Sequence, residues 1–169
     1  MLIEDRAHLA LTSTEPSDPR LAFLGFGVER LLAVAAPPVA DRILGATDLA
    51  KALCAEAHVA YDLDRHLLRN WLAANHLPIP DRPPVIAAPD LAVLRAMVCQ
   101  GLGWSVLPDY LTVSQRESGE IKEIDPPIVT PENGHYLVWA KAAVRNPRVV
   151  LARDMLVEAF RNLIRAGCR

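Results

Sequence analysis

Residues 90–110 read DLAVLRAMVCQGLGWSVLPDY. Asp90 stands just before an apolar-periodic run and suits a helix N-cap, where its carboxylate accepts from the first free amides of the helix. Leu91, Leu94, Met97 and Val98 then share one helical face, the spacing of a helix laid on a core. Gly101 falls where a left-handed C-cap is wanted. Trp104 to Pro108 (WSVLP) follows as a strand, so the Gly-Leu-Gly at 101–103 leads into a strand instead of opening a helix and is not a dinucleotide-binding fingerprint.

Upstream, PVIAAP (84–89) is a continuous apolar run. Before it, Leu67, Leu68, Trp71 and Leu72 predict a helix over about 64–76, with Asp64 as its N-cap and Asn75 and Pro78 ending it. AHVAYD (57–62) reads as a strand that runs into a polar turn, and Thr47 or Asp48 caps a short helix through Cys54. LAFLGFGVERLLAVAA (21–36), interrupted by Gly25 and Gly27, predicts two strands or one long bent strand, stopped by Pro37 and Pro38. The first element is AHLAL (7–11), a buried strand that opens at Thr12, Ser13 and Thr14 into a loop broken by Pro16 and Pro19.

Downstream, Asp109 to Ser118 predicts a helix closed by Gly119, and IKEI (121–124) a short strand. A proline-rich loop over 125–133 leads to the strand YLVWA (136–140). Asn146 and Pro147 begin the last helix as N-cap and first-turn residue, with Val149, Ala152, Leu156, Ala159, Phe160 and Leu163 as its buried stripe. Strand and helix alternate throughout, which predicts an α/β fold with mainly parallel pairing.

The chain has 169 residues, 51% of them hydrophobic, and a formal net charge of -2. That length buries one core or two small lobes, and that charge provides no whole-molecule field toward phosphate or an anionic membrane, so nucleic acid is not a direct partner. The three cysteines, Cys54, Cys99 and Cys168, are an odd number without CxxC spacing, which argues against a disulfide framework or a zinc site and for a reducing cytoplasm. Residues 1–6 (MLIEDR) lack the basic start and apolar core of a signal peptide, and the runs at 31–39 and 85–88 fall well below the roughly 20 residues of a membrane helix.

Asp90 to Tyr110 resembles the helix, Gly-x-Gly turn and Leu-Pro-ending strand of the effector-binding domain of LysR-type transcriptional regulators. AHLALTST (7–14) is similar to that family's early strand, with His8 where an acid usually stands. ERLLAVAAPP (29–38) is similar to the first crossover strand, and HYLVWAKAAVRNPRVVLARDML (135–156) to the return crossover strand and the helix that closes the first lobe. The resemblance covers nearly the whole chain. It implies a type II periplasmic-binding-protein fold, with lobe one at 1–35 and 138–169, lobe two at 36–137 and two hinge strands joining them. Relative to the family, the winged helix-turn-helix, the linker helix and the first strand and helix of lobe one are expected to be missing ahead of Ala7, so this chain by itself is expected not to read an operator.

In open α/β folds ligands sit beyond the carboxyl ends of strands, where amides of the next helix point at them. Thr12, Ser13 and Thr14 offer hydroxyls suited to a carboxylate or amide; the alternative is a loop that caps itself. Tyr61 reads as a stacking wall, with Asp62 beside it, and Arg65 as the charge partner of an acidic effector; the alternative is an Asp-capped helix start with a surface arginine. Val106, Leu107 and Pro108 either line the site or form a core strand, and Asp90 reads as a cap before a ligand contact. Asp62 and His66 lie four apart, on one helical face. No GxSxG or HExxH and no metal-ligand cluster accompanies the five histidines, so neither catalytic residue, metal nor cofactor is expected. The arginines at 145, 148, 153, 161, 165 and 169 read as a solvated basic face.

These features predict a cytoplasmic sensor of a small-molecule effector, a carboxylate or an amino acid, bound between two hinged lobes and acting as a homodimer, without a membrane partner. Two rivals stand beside it. One is an enzyme on the same two-lobed fold, such as a dehydratase, with His66 or Tyr61 as its general acid. The other is a degenerate regulator without a ligand.

Overall fold

The computed structural model describes residues 2–4 and 6–167, and the backbone alone over 162–167. In chain order the elements are β1 (Leu9–Thr12), β2 (Leu21–Ala35), α1 (Pro37–Leu44), α2 (Leu49–Ala55), β3 (Val59–Ala60), α3 (His66–Ala74), β4 (Ile86–Ala87), α4 (Leu91–Cys99), β5 (Ser105–Pro108), α5 (Val113–Glu117), β6 (Lys122–Ile124), β7 (Glu132–Ala140) and α6 (Pro147–Gly167). Single 3-10 turns occupy Asp109–Leu111 and Lys141–Arg145. The chain divides into two compact units, Met1–Glu29 with Asn133–Arg169, and Arg30–Glu132. β2 is one continuous strand, and α/β architecture holds throughout.

In the unit Arg30–Glu132 the second half of β2 is buried on both faces. Leu31, Ala33 and Ala35 enter one cluster with Ile43, Leu53, Trp71, Trp104 and Val106, while Leu32 and Val34 enter another with Val59, Leu94, Val98, Leu107 and Ile121. Alternation along a strand produces this division directly. Each large apolar side chain so enclosed stabilises the fold by about 1.5–3 kcal/mol. β5 and β6 flank β2, both antiparallel, with Leu32 opposite Leu107 and Ala33 opposite Ile124. β3 and β4 pair in parallel, and His58 makes a parallel bridge to Trp104.

In the unit Met1–Glu29 with Asn133–Arg169, β1 runs antiparallel to β7, with Leu9 opposite Trp139 and Thr12 opposite Tyr136. β7 neighbours β2. Phe26 of β2 stacks on Phe160 of α6 with ring centroids 4.0 Å apart, and the Arg153 guanidinium lies 5.4 Å over the Trp139 ring, so α6 is held by aromatic contacts as well as aliphatic ones.

Five expectations are corrected. Pairing is antiparallel at β1–β7, β2–β5 and β2–β6, because the two long strands shared by the units run against their neighbours. Pro37 and Pro38 do not merely stop β2; they open α1, standing at its first two positions, where a missing amide proton costs nothing. The helix predicted from Asp64 starts at His66, because Arg65 takes a left-handed conformation at φ 59°; its first amide is capped by Asp62, whose Oδ1 accepts from His66 N at 3.3 Å. On α6, Ala152 and Ala159 are exposed, and the packed side comprises Val149, Val150, Arg153, Leu156, Val157 and Phe160; the Leu163 side chain lies outside the described residues. The helix predicted over 109–118 is a 3-10 turn followed by α5.

Candidate functional site: two strand ends

At the end of β1 the Thr12 Oγ1 accepts from Thr14 N at 3.1 Å and donates to Thr14 O at 3.4 Å. The threonine thus closes a local turn that leaves Ser13 and Thr14 exposed. Farther along the loop, Arg20 clasps Asp18 through its backbone amide, Nε and Nη2. These hydrogen bonds hold the Asp18 carboxyl down to about 2, and the clasp fixes where the chain enters β2.

The other strand end lies in the unit Arg30–Glu132. β3 delivers Tyr61, which is 38% exposed, and then Asp62, Leu63 and Asp64. Asp62 is committed to the start of α3: one oxygen caps His66 N and the other lies 3.0 Å from His66 Nδ1. Burial pushes the Asp62 carboxyl up, but the hydrogen bonds from His66 outweigh it and leave the group below the ordinary aspartate range. Arg65 turns back under the turn. Its Nη1 donates to Pro80 O at 2.7 Å and to Arg82 O at 3.2 Å, while its Nε is buried without a partner. The guanidinium therefore ties the turn after β3 to the loop before β4.

The Leu107 side chain is wholly buried between β2 and α4 among Leu32, Val34, Val59, Leu94, Val98 and Ile121, so it faces core and not solvent. Val106 and Pro108 are buried too. Asp90 caps α4, accepting from Ala92 N at 2.8 Å and Val93 N at 3.2 Å. Within each unit, then, the structure groups Thr12, Ser13 and Thr14 at one strand end, and Tyr61, Asp62 and Arg65 at the other.

Sequence reasoning passed over three further features. Asp62, Asp64 and His66 each bring a ligand atom within 4.8 Å of the others, the donor set of a hard or borderline cation; Asp64 and His66 are exposed, and the positive end of α3 beside them opposes a cation. His58 is buried to 1% exposure, with Nε2 unpartnered. Asn75, expected to end a helix, also binds the backbone of Ile128 and Val129. A lone histidine in an apolar run, and an asparagine at a helix end, give no sequence signal that separates these roles from ordinary ones.

No helix of the described residues is long and apolar enough to cross a membrane. The family model described as the LysR substrate binding domain matches residues 1–161. The HTH-type transcriptional regulator AbaB of Streptomyces antibioticus is 27% identical over 161 residues, covering 91% of this chain and 52% of AbaB, so the chain spans about half the length of that curated relative. Among solved structures, the C-terminal domains of a LysR family protein from Agrobacterium tumefaciens str. C58 match with a TM-score of 0.76 at 19% identity, over 95% of this chain and 75% of that one. Full-length LysG of Corynebacterium glutamicum with bound effector Arg matches with a TM-score of 0.74 at 20% identity, over 94% of this chain and 53% of that one. At these identities the structural matches speak for the fold.

Proposed function

The chain belongs to the LysR substrate-binding-domain family, and from that membership we propose that it is the effector-sensing part of a cytoplasmic transcription regulator. The observation that carries this reading is the family match over residues 1–161, supported by a fold shared with regulatory domains of known structure. The effector is a small carboxylate or an amino acid; in one unit the exposed hydroxyls of Ser13 and Thr14, on the turn that Thr12 closes, suit it, and in the other the exposed Tyr61, on the turn that Asp62 caps and Arg65 supports from beneath, offers a stacking face. LysG carries arginine as its effector, so arginine belongs among the compounds to test. Binding acts by shifting the population of two arrangements, and only as far as the effector's affinity differs between them. The working unit is a homodimer, and operator reading belongs to a winged helix-turn-helix of the whole regulator.

The dehydratase-like alternative finds no support. Asp62 and His66 do pair at 3.0 Å, but the histidine side chain is largely exposed and the carboxylate is engaged in capping a helix.

Thermal unfolding of the purified chain against small carboxylates and amino acids tests the reading, since a ligand held by the native state raises the midpoint by mass action. A rise that grows with the concentration of one compound class and disappears in Thr12→Ala and Tyr61→Ala is expected. A flat response across the panel in a cooperatively folded protein counts against a working sensor.

A further inference from the structure

Arg145 and His8 line one cavity of about 340 Å³, completed by Ala142, Ala143 and Asn146, at the lower end of the roughly 300–1,000 Å³ typical of small-molecule sites. All five residues belong to the unit Met1–Glu29 with Asn133–Arg169. The β1–β7 register, with Leu9 opposite Trp139, brings His8 to the end of β7, where the 3-10 turn Lys141–Arg145 leads into α6. No acidic side chain lines the cavity, and among the described residues neither the Arg145 nor the His8 side chain has a hydrogen bond or ion pair. Other arginines of the unit are neutralised: Arg20 is clasped by Asp18, and Arg153 is paired with Asp154. Asn146 commits its side-chain oxygen to Arg148 N at 3.0 Å, which leaves its Nδ2 donors unengaged. Val149 N and Val150 N already donate to Asn146 O, so the end of α6 adds its positive pole while the available donors are side chains.

We propose that this cavity binds a phosphate group, free or as a monoester, through Arg145, His8 and Asn146. A guanidinium fork, an imidazole N–H and an amide NH2 suit the several oxygens and double charge of a phosphate, whereas a carboxylate brings two oxygens and one charge. An imidazole keeps at least one N–H in either protonation state, so His8 donates whether or not it is charged. An adjoining cavity of about 370 Å³ shares Ala142 and is lined by Leu2, Ile3 and Ala140 beside Lys141 and Arg20, apolar surface next to a cation, which suits the carbon body of a monoester. The site is separate from the turn at Thr12–Thr14: His8 precedes β1 and Thr12 ends it, about 13 Å apart at the rise of a strand. It does not depend on the effector reading. A phosphate held there would join the segment before β1 to the start of α6.

Backbone-amide NMR of the purified chain, titrated at constant pH and ionic strength with inorganic phosphate, glycerol 3-phosphate and acetate in separate arms, tests the proposal. Both phosphates are expected to give saturable shifts at His8, Ala142, Ala143, Arg145 and Arg148, while Ser13 and Thr14 stay still. Tighter binding of glycerol 3-phosphate assigns the site to monoesters, and equal or tighter binding of inorganic phosphate assigns it to the free ion. Arg145→Gln, at an exposed position, should weaken binding roughly tenfold or more, the loss of one charge-assisted contact, with the folded spectrum retained. Arg69→Gln, an exposed arginine of the other unit, should leave binding unchanged; an equal loss there would reduce the effect to general charge and overturn the site. So would the absence of saturable shifts, an Arg145→Gln curve identical to the wild type, or acetate binding as tightly as phosphate. Shifts at Ser13 and Thr14 along the same curve would place the phosphate at the other end of β1 and overturn a separate site. A short DNA duplex that moves the cavity amides at lower concentration than either phosphate would make this a nucleic-acid face and also overturn the proposal.

Discussion

Asn75 grips Val129 at both ends of its backbone, Nδ2 donating to Val129 O at 2.9 Å and Oδ1 accepting from Val129 N at 3.0 Å, across 54 residues of chain. The same amide accepts from Ile128 N at 3.0 Å and donates to Trp71 O at 2.9 Å. The asparagine is 2% exposed, so the loop before β7 is fastened to the end of α3 by a side chain with every position filled. Asn75→Ala removes four hydrogen bonds and leaves buried peptide groups unpaired, and is expected to cost about 2–4 kcal/mol. Urea unfolding checks it; a loss below about 1 kcal/mol would mean that packing holds the loop.

Gly101 and Gly103 respond differently to the same methyl group. At Gly103 the added carbon meets backbone at 2.5 Å, whereas at Gly101 the nearest atom is the Ala36 side chain at 3.9 Å and the strain comes from φ 75° alone. Gly101→Ala should lower stability by about 1–2 kcal/mol, the penalty of a left-handed conformation. Gly103→Ala should lower it more, enough to reduce soluble yield. Equal melting midpoints for the two variants would refute the assignment of Gly103 to close backbone approach.

Asp90 acts on the fold through α4. Asp90→Ala should cost about 1 kcal/mol and Asp90→Ser should recover most of it, the pattern of an N-cap. Neither should change a ligand-induced midpoint rise. If both variants lose that response while retaining stability, Asp90 is a ligand contact.

Leu107 and Tyr61 should separate stability from response. Leu107→Ala opens a cavity in a fully buried cluster and should cost about 2–5 kcal/mol. Tyr61→Ala should alter stability by no more than about 0.5 kcal/mol while removing the compound-dependent shift. The comparison needs only thermal melts of two variants, with and without compound.

Acid stability follows from His58. Its depressed value in the fold means that the unfolded chain binds the proton more readily, so stability is fully present above the unfolded value of about 6.5 and falls as pH drops through it toward the folded value. Asp48 and Glu56, held low by hydrogen bonds from Lys51 and Arg42 respectively, add an acid loss at lower pH, below the unfolded carboxylate range. Urea midpoints between pH 7.5 and 5 should therefore fall in the wild type and stay nearly level in His58→Gln. A parallel fall in both would place the titrating group elsewhere.

The middle of the chain was the most legible. Asp90, the periodic leucines, Gly101 and the strand ending at Pro108 each express a local preference that agrees with the tertiary arrangement, and α4, its cap and β5 stand where those preferences put them. α1 was illegible because a Pro-Pro pair ends a strand and opens a helix by the same restriction on φ. Strand direction escaped as well, since alternation reports which face is buried and not which way a neighbour runs. At the β3 end, the residue types were readable but their partners were not: Arg65 hydrogen-bonds to carbonyls 15 and 17 residues away, and nothing local distinguishes that arginine from a surface one.

β2 also bears on how this domain tolerates change in length. Because Leu31, Ala33 and Ala35 serve one cluster and Leu32 and Val34 the other, a single-codon insertion or deletion between Arg30 and Ala35 would turn every later residue of the strand to the opposite side. Both interiors would then receive each other's side chains at once, with no partial accommodation available. Drift by gain or loss of residues is thereby steered into segments such as 13–20, which carries no strand register, and the strand shared by the two units behaves as a ruler whose markings cannot be moved one at a time.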